Sequence, residues 1–271
     1  MGLIRADGSE KPVLLELKNF DRFIQSLPFK ELPAVKPAAV VVLTEGQDAW
    51  AGAYSSFILA EQAGFNVSFQ YINQPLKPVA LYLLPSVKGI NSPKKYEWEN
   101  LLEKVRAGAD LYVSTDNGYF SPFNKPFGLE VAGNAVRTGN ASFNSQTMSG
   151  NLKFAMPAPL RLDLKPTTAK VIAAEDDGNP VFTVNNYGSG KIYLLTFPLE
   201  NNMSKTPGSF NKNQPEIFKI YQHIAAEVLA NRVAKDNDSF VLTTEHDLNQ
   251  RQKIVVMVNY DDKISVAPIE L

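Results

Sequence analysis

The residues with the clearest chemical potential lie in two short segments that each follow a predicted strand. Ser114-Thr-Asp-Asn-Gly118 is a turn by composition, and Thr196-Phe-Pro-Leu-Glu200 follows a second strand. A serine on such a turn becomes a nucleophile when a neighbouring base takes its proton. Ser114 has no histidine close to it in the sequence, since His223 lies within the last predicted helix. One hypothesis is still a free-standing hydrolase that uses residues 114–121 and Glu200.

Cysteine is absent from the 271 residues, and the only histidines are His223 and His246. Thiolate nucleophiles, disulfides and cysteine-ligated metals are therefore excluded, and a histidine-rich metal site is not expected. The Gly-x-Gly at 188–190 lies between two predicted hairpin strands, which is not where a phosphate-binding glycine loop lies. We expect no catalytic residues, no cofactor and no metal in this chain.

Several side chains are candidates for lining a vestigial crevice or for touching a sugar or a partner chain. Each also has a structural explanation. Glu45 and Asp48 suit the positive end of a helix dipole, and Trp50 could pack at the same helix start. Glu200 could accept backbone N–H groups after its strand. The full set of candidates is Glu45, Asp48, Trp50, Asp116, Asn117, Tyr119 and Glu200.

Composition and charge narrow the class of protein. Hydrophobic residues make up 44% and charged residues 20%, which are ordinary values for a globular domain with a sizeable core. A net charge of -1 gives no reason to expect nucleic acid or an anionic membrane as partner. No stretch approaches the ~20 apolar residues of a membrane span, and the polar N-terminus does not resemble a signal peptide. We expect a cytoplasmic protein.

Apolar runs alternate with helical spacing through the first half of the chain. A continuous run such as Ala39–Leu43 is typical of a strand buried on both faces. Ser92-Pro93 resembles a capped helix start. This order of elements predicts an α/β fold with a mostly parallel sheet and helices on both faces. The predicted strands are 39–43, 65–71, 80–84 and 111–114, and the predicted helices are 12–27, 49–63 and 93–107, the second ending at Gly64.

Residues 117–165 form an insertion that is rich in Asn, Gly, Ser, Pro and Phe and has little periodicity. Four aromatics in this polar region, Phe120, Phe123, Phe127 and Phe143, are hard to bury in the main layers, so we expect an interface there. Residues 169–174, 181–185 and 191–197 predict antiparallel hairpins at a sheet edge. A last helix begins at Pro215, and two strands, 240–244 and 253–259, follow it.

The N-terminal segment resembles the end of a clan A glycoside hydrolase TIM barrel. The residues are Gly2-Leu-Ile-Arg-Ala-Asp-Gly-Ser-Glu-Lys-Pro12 and the amphipathic helix after them. The resemblance implies that residues 1–37 are the last turn and helix of such a barrel with a linker. Both catalytic carboxylates would then lie upstream of this chain.

The middle region resembles the trimerisation domain of family 42 β-galactosidases, a flavodoxin-like domain related to class I glutamine amidotransferases. The resemblance rests on Val40–Leu43 and the loop to Trp50, Leu83–Pro85 and Trp98, Ala107–Val113, and Gly188–Glu200. It implies a flavodoxin-like domain over residues 38–235, and it implies that residues 236–271 are the start of a small β-domain. Of the amidotransferase His-Pro-Glu stretch only Glu200 remains, and the nucleophilic cysteine is missing.

The resemblance implies a non-catalytic assembly domain of a glycoside hydrolase, and a homo-oligomer, by analogy a trimer. The second hypothesis is a carbohydrate-binding module, in which exposed aromatics such as Trp50, Tyr119 and Phe120 stack on sugar rings. Homo-oligomerisation and possible carbohydrate binding are therefore the expected interactions, with no nucleic acid and no membrane.

Overall fold

The computed structural model describes residues 2–88, 93–117, 124–145, 147–148, 150–234 and 238–261. The chain divides into two compact units. The small unit comprises Met1–Val35 with His246–Ile254, and the large unit comprises Lys36–Glu245 with Val255–Leu271.

The helices and strands are numbered here in chain order. The helices are α1 Pro12–Ser26, α2 Ala49–Ala63, α3 Lys95–Arg106, α4 Asn124–Phe127, α5 Leu199–Lys205, α6 Phe218–Ile224 and α7 Ala226–Ala230. The strands are β1 Ala39–Leu43, β2 Val67–Tyr71, β3 Leu81–Lys88, β4 Asp110–Asp116, β5 Leu129–Val136, β6 Asn140–Asn144, β7 Lys153–Pro157, β8 Leu160–Pro166, β9 Lys170–Ala174, β10 Pro180–Tyr187, β11 Gly190–Leu195, β12 Val241–Asp247 and β13 Lys253–Asn259.

In the small unit, helix α1 begins at Pro12 as predicted, because proline's fixed φ suits the first helical position. None of its residues is buried, and its apolar side chains, such as Phe20 and Phe23, are exposed. His246 is buried although it lies in a polar stretch of the sequence, and its Nδ1 lies 2.5 Å from the carbonyl oxygen of Pro33. The side chain is thus tied to the backbone of the same unit.

The large unit is built on a nine-stranded mixed sheet in the order β2-β1-β3-β4-β11-β10-β9-β6-β7. Strands β2, β1, β3, β4 and β11 pair in parallel. From β11 onward every pairing is antiparallel. The expectation of a mostly parallel sheet therefore holds for the half from β2 to β11, and it is wrong for the sheet taken as a whole, which is mixed. The hairpins predicted after residue 169 do form, but they lie inside the sheet, because β6 and β7 extend it further.

Helices cover both faces of this sheet, as the apolar runs predicted. Alternate residues of β1 point to opposite faces, so Val41 belongs to one hydrophobic cluster and Val40 to the other. Leu59 of α2 and Tyr221 of α6 lie in the first cluster. Trp98 of α3 lies in the second, as its helical spacing predicted.

The insertion at 117–165 is integrated into the fold over its described residues. It supplies β6 and β7 to the main sheet and pairs β5 with β8 in a separate two-stranded sheet. Phe127 and Phe143 are fully buried, so the expectation of an interface is wrong for these two. Phe143 stacks on Phe154 at 4.6 Å, and Phe127 stacks on Trp98 at 5.7 Å. Phe120 and Phe123 lie outside the described residues.

A largely buried ion pair fastens this insertion to the sheet. Arg137, just after β5, donates from both terminal nitrogens to Glu175 at 2.7 Å. Arg161 of β8 lies 3.6 Å from the same carboxylate and also bonds Asp177 at 2.7 Å. Paired, bidentate charges of this kind offset the cost of removing them from water. The insertion is therefore held by specific contacts as well as by apolar packing.

Two helix boundaries differ from their prediction. Helix α3 begins at Lys95, and Glu97 accepts the backbone N–H of Lys94 at 2.8 Å; the predicted cap, Ser92, lies outside the described residues. The last helix does not begin at Pro215 and is broken into α6 and α7 at Ala225. Within the described part of the chain, no helix is long and apolar enough to cross a membrane.

Gly190 is required by close packing between β11 and α3. A Cβ at this position would lie 2.0 Å from the carbonyl oxygen of Ala109 and 2.7 Å from that of Val105. We predict that Gly190→Ala lowers the free energy of unfolding by about 3 kcal/mol, because backbone must move to admit the methyl group. Urea unfolding followed by circular dichroism measures this.

The matched control is Gly139→Ala, where an added Cβ meets no atom within 4 Å. We expect its stability to stay within about 0.5 kcal/mol of the wild type. Equal stabilities of the two variants would contradict the packing argument.

Candidate functional site

The most polar element of the buried core is the carboxylate of Glu200, which is 0% exposed in the first turn of α5. Four hydroxyl groups donate to it. Ser86 and Ser114 bond Oε2 at 2.8 and 2.5 Å, and Tyr112 and Tyr221 bond Oε1 at 3.0 and 2.9 Å. These five residues are called the Glu200 hub below.

The hub is assembled by the ends of neighbouring parallel strands and by two helices. Tyr112 and Ser114 alternate along β4, so both point to the same face. Ser86 lies near the end of β3, where the register slips between Leu84 and Val87. Tyr221 comes from α6 on the same side of the sheet.

Ser86 has an unusual backbone that serves this arrangement. Its φ is +45°, a left-handed conformation that costs a residue with a side chain about 1–3 kcal/mol. In return its N–H donates to Ser114 Oγ at 2.5 Å, and its own Oγ accepts the N–H of Asn201 at 3.2 Å. The local strain is thus offset by hydrogen bonds within the hub.

Burial controls the protonation of the two tyrosines. Desolvation, followed by the nearby charge of Glu200, raises the pKa of Tyr112 well above its ordinary value. The same two causes raise the pKa of Tyr221. Both phenols therefore keep their protons and remain hydrogen-bond donors to the carboxylate.

The distance from Ser114 Oγ to Glu200 lies at the short end of what a nucleophile and its base require. A nucleophile and its base must also be accessible to a substrate and have a free hydrogen-bonding position, and the hub offers neither. All five hub side chains are buried, each carboxylate oxygen already accepts two hydroxyls, and Ser114 also accepts the Ser86 N–H. The geometry favours a stabilising network over an open reaction centre.

The hub differs from the sequence-based interpretation in its donors. One of the two interpretations of Glu200 was that it accepts backbone N–H groups, but in the structure its carboxylate accepts side-chain hydroxyls. Ser86, Tyr112 and Tyr221 were missed, because serine and tyrosine in apolar strands and helices are common without any shared role. Their only advance signal was the polar Ser86 and Ser114 at the ends of buried strands.

Asp116 and Asn117, the predicted crevice residues, lie close by at the end of β4. Asp116 accepts a hydrogen bond from Asn201 Nδ2 at 2.9 Å, which brings it to the residue after Glu200. Asn117 is exposed and has a φ of +54°, in keeping with a turn. Tyr119 lies outside the described residues.

The other three candidates lie around the start of α2. Asp48 is its N-cap and accepts the N–H of Ala51 at 3.0 Å, as the structural explanation predicted. Glu45 is exposed and lies 3.5 Å from Lys94 Nζ. Trp50 does not pack into the core but is 67% exposed.

A separate cavity of about 300 Å³, with both apolar and polar residues in its lining, lies at the other end of α2. Its lining includes Glu61, Arg232 and Asp238. Burial raises the pKa of Glu61 to about 7, and its hydrogen bond from Asn66 and the charge of Arg232 only partly oppose this. Arg232 itself donates to the Gly64 carbonyl and, at 2.7 Å, to that of Thr243. Glu61 thus changes charge near neutral pH.

No three His, Asp or Glu side chains in the described ranges are grouped so that they could hold a metal ion.

The sequence matches no known protein-family model. It also has no significant match among functionally curated proteins.

Solved structures of glycoside hydrolases share its fold. A β-galactosidase from Bacillus circulans sp. alkalophilus aligns with a TM-score of 0.65 and 15% identity over 96% of this chain and 41% of its own. An α-L-fucosidase isoenzyme 2 from Paenibacillus thiaminolyticus gives a TM-score of 0.67 and 10% identity over 98% and 45%. An exo-β-1,4-mannosidase from Opitutaceae bacterium strain TAV5 gives 0.63 and 14% over 83% and 41%.

At these identities the similarity establishes a glycosidase-related fold. The chain spans about two fifths of the length of the β-galactosidase and the mannosidase.

We predict that Glu200→Gln lowers the free energy of unfolding by about 3 kcal/mol. The new amide nitrogen donates and cannot accept, so two buried hydroxyls lose their acceptor. Chemical denaturation at neutral pH measures the change. Glu227→Gln, at an exposed glutamate of α7, is the control and should stay within about 0.5 kcal/mol of wild type. A fully stable Glu200→Gln variant would refute the hub's structural role.

We also predict a pH-dependent gain in stability for Glu61→Gln. The folded-state pKa of about 7 lies above the ordinary value of 4.5, so the folded protein holds a proton that the unfolded chain releases. Glu61 therefore stabilises the fold at low pH, and this contribution is lost as pH rises through about 7.

The measurement is urea unfolding of wild type and Glu61→Gln at several pH values from about 5 to 8. The variant should gain stability over wild type progressively toward the alkaline end. Glu16→Gln, at an exposed position of α1, should show no such trend. A pH-independent difference for Glu61→Gln would show that its carboxyl does not titrate in this range.

Proposed function

We propose that this chain is a non-catalytic assembly module of a glycoside hydrolase, similar to the trimerisation domain of family 42 β-galactosidases. The observation that carries the proposal is the Glu200 hub. At the place where an amidotransferase-like domain would need an accessible nucleophile and base, this chain has a buried carboxylate with four hydroxyl donors. Such a site contributes stability instead of turnover.

The sheet topology supports a flavodoxin-like core for the module. The parallel half has the order β2-β1-β3-β4-β11, which corresponds to the doubly wound order 2-1-3-4-5. The fold shared with glycoside hydrolases over about two fifths of their length supports placing it beside a catalytic domain.

Helix α1 supports the proposal that residues 1–37 are the end of a TIM barrel. Its apolar side chains Leu17, Phe20 and Phe23 are exposed, although helices of globular proteins normally bury such a stripe. Packing against the neighbouring helices and strands of a barrel would cover it. The two carboxylates that glycoside hydrolysis requires would then belong to that barrel.

The large unit offers a surface suited to a second copy of the chain. An apolar cavity of about 360 Å³ is lined by residues of α2, β12 and the chain around Phe210 and Tyr260. Phe57 and Tyr260 at this cavity are 44% and 66% exposed. Aromatic side chains of this kind are enriched in the centres of protein interfaces. We propose this surface as the contact that forms the homo-oligomer, with a trimer expected by analogy.

Light scattering on a size-exclusion column tests the assembly role. We expect an oligomer of the wild-type chain at micromolar concentration, and a monomer for Phe57→Asp, because a carboxylate in the contact would lose its water. Phe69→Asp is the control, since Phe69 has the same 44% exposure but lies on the edge strand β2. A monomeric wild type, or equal masses for both variants, would contradict the proposal.

The same preparation tests the absence of catalysis. A panel of aryl glycosides and esters should show no turnover above buffer, and Ser114→Ala should change nothing. Turnover that disappears in Ser114→Ala would assign the hub to a hydrolase instead.

A further inference from the structure

Trp50, at the start of α2, is the more exposed of the two tryptophans, and a second aromatic ring packs against it. Trp50 stacks on Tyr54 with ring centroids 4.8 Å apart and planes 9° from parallel. Tyr54 in turn meets Phe210 edge-on at 5.9 Å. One face of the Trp50 ring is therefore braced from behind, while 67% of the residue remains exposed.

The backbone under this ring is held in place by the loop before it. Gln47 accepts the N–H of Thr44 at 2.6 Å and donates to the carbonyl of Pro85 within β3. Asp48 caps the helix through the N–H of Ala51. A ring on a fixed backbone loses little conformational freedom when a ligand stacks on it.

Exposed charged residues lie in the loop that leads to the ring. Glu45, Asp48 and Lys94 are all exposed, and Glu45 lies 3.5 Å from Lys94 Nζ. Asp48 uses Oδ1 for the helix cap. A flat apolar surface next to carboxylate acceptors and an ammonium donor is complementary to a pyranose ring, which has an apolar face of C–H groups and a rim of hydroxyls.

The position in the fold also suits a ligand. The loop that holds Glu45 and Asp48 follows the carboxyl end of β1, the edge of a parallel sheet where open α/β folds bind their ligands. Asp116 and Asn117 follow β4 at the same edge. The loop before the ring therefore lies at the edge of the sheet where binding is expected.

We propose that Trp50, braced by Tyr54, is a stacking subsite for one pyranose ring of an oligosaccharide. Glu45, Asp48 and Lys94 supply hydrogen bonds to its hydroxyls. This inference goes beyond the assembly role and does not depend on it, because a single braced ring needs no partner chain. A small ligand is favoured over a protein partner here because charged side chains, which are depleted in interface cores, stand in the loop that leads to Trp50.

Fluorescence titration and calorimetry of the full chain test the proposal. The probes are the tetrasaccharides of β-1,4-linked galactose, mannose and glucose, each added separately. The chain has two tryptophans, and Trp98 is buried, so a change in emission reports Trp50. We expect saturable binding of at least one tetrasaccharide in the millimolar range or tighter, with a blue shift of the emission.

Trp50→Ala should weaken that binding by about tenfold or more, as measured by calorimetry. Trp50→Phe should restore part of it, because a smaller ring still stacks. Tyr71→Ala removes an aromatic residue of 52% exposure from β2 and should bind as wild type does. Comparing Trp50→Ala with Tyr71→Ala shows whether the sugar binds specifically at Trp50 or at any exposed aromatic residue.

Three outcomes would overturn the proposal. The first is no heat and no spectral change with any tetrasaccharide. The second is undiminished sugar binding by Trp50→Ala. The third is binding of tetramethylammonium in place of sugars, which would identify a cation site. The assembly test measures the molar mass of wild type and Phe57→Asp, without any sugar. Its outcome can therefore be interpreted even if no sugar binds.

Discussion

A buried negative charge is the constraint on which the large unit depends. Removing the Glu200 carboxylate from water is costly unless each of its lone pairs finds a donor. The donors come from β3, β4 and α6, while the carboxylate comes from α5. The network therefore fixes how two helices dock on one face of the sheet. Apolar packing alone tolerates small sliding movements, whereas four directional bonds to one charge do not.

The same constraint bears on chemistry. A nucleophile and its base need a reachable oxygen and at least one unfilled hydrogen-bonding position. In the hub, Ser114 is buried and both oxygens of Glu200 are occupied, so the arrangement that stabilises the fold is the one that leaves no room for a substrate. Exposed apolar surface marks binding sites more often than a buried polar cluster does. In this molecule such surface lies on α1, at the Phe57–Tyr260 cavity and at Trp50.

Local patterns predicted much of the fold, and long-range pairing explains most of what they missed. The all-apolar run of β1, the helix α2 with Gly64 as its left-handed cap, and Trp98 in the core follow from periodicity within a few residues. Single hydrogen bonds of the hub join residues up to 114 positions apart, and no local pattern marks such pairs. The insertion was misjudged for a related reason: Phe143 is buried against Phe154 of β7, Phe182 of β10 and Phe197, contacts that short strands with weak alternation do not reveal.

The candidate residues around α2 show how one segment can be both structural and functional. Trp50 was expected to pack at the helix start, but its side chain is exposed. Ala51 and Gly52 occupy the buried positions of the first turn of α2, so the indole points to solvent. A Cβ at Gly52 would lie 3.0 Å from Gln47 Nε2 and 3.3 Å from Pro85 Cγ, so the first turn of α2 packs closely on these two side chains. Close packing beneath the first turn therefore forces the aromatic side chains above it into solvent. Their exposure is a consequence of how tightly the core is built, and it leaves a rigid aromatic surface available for a ligand.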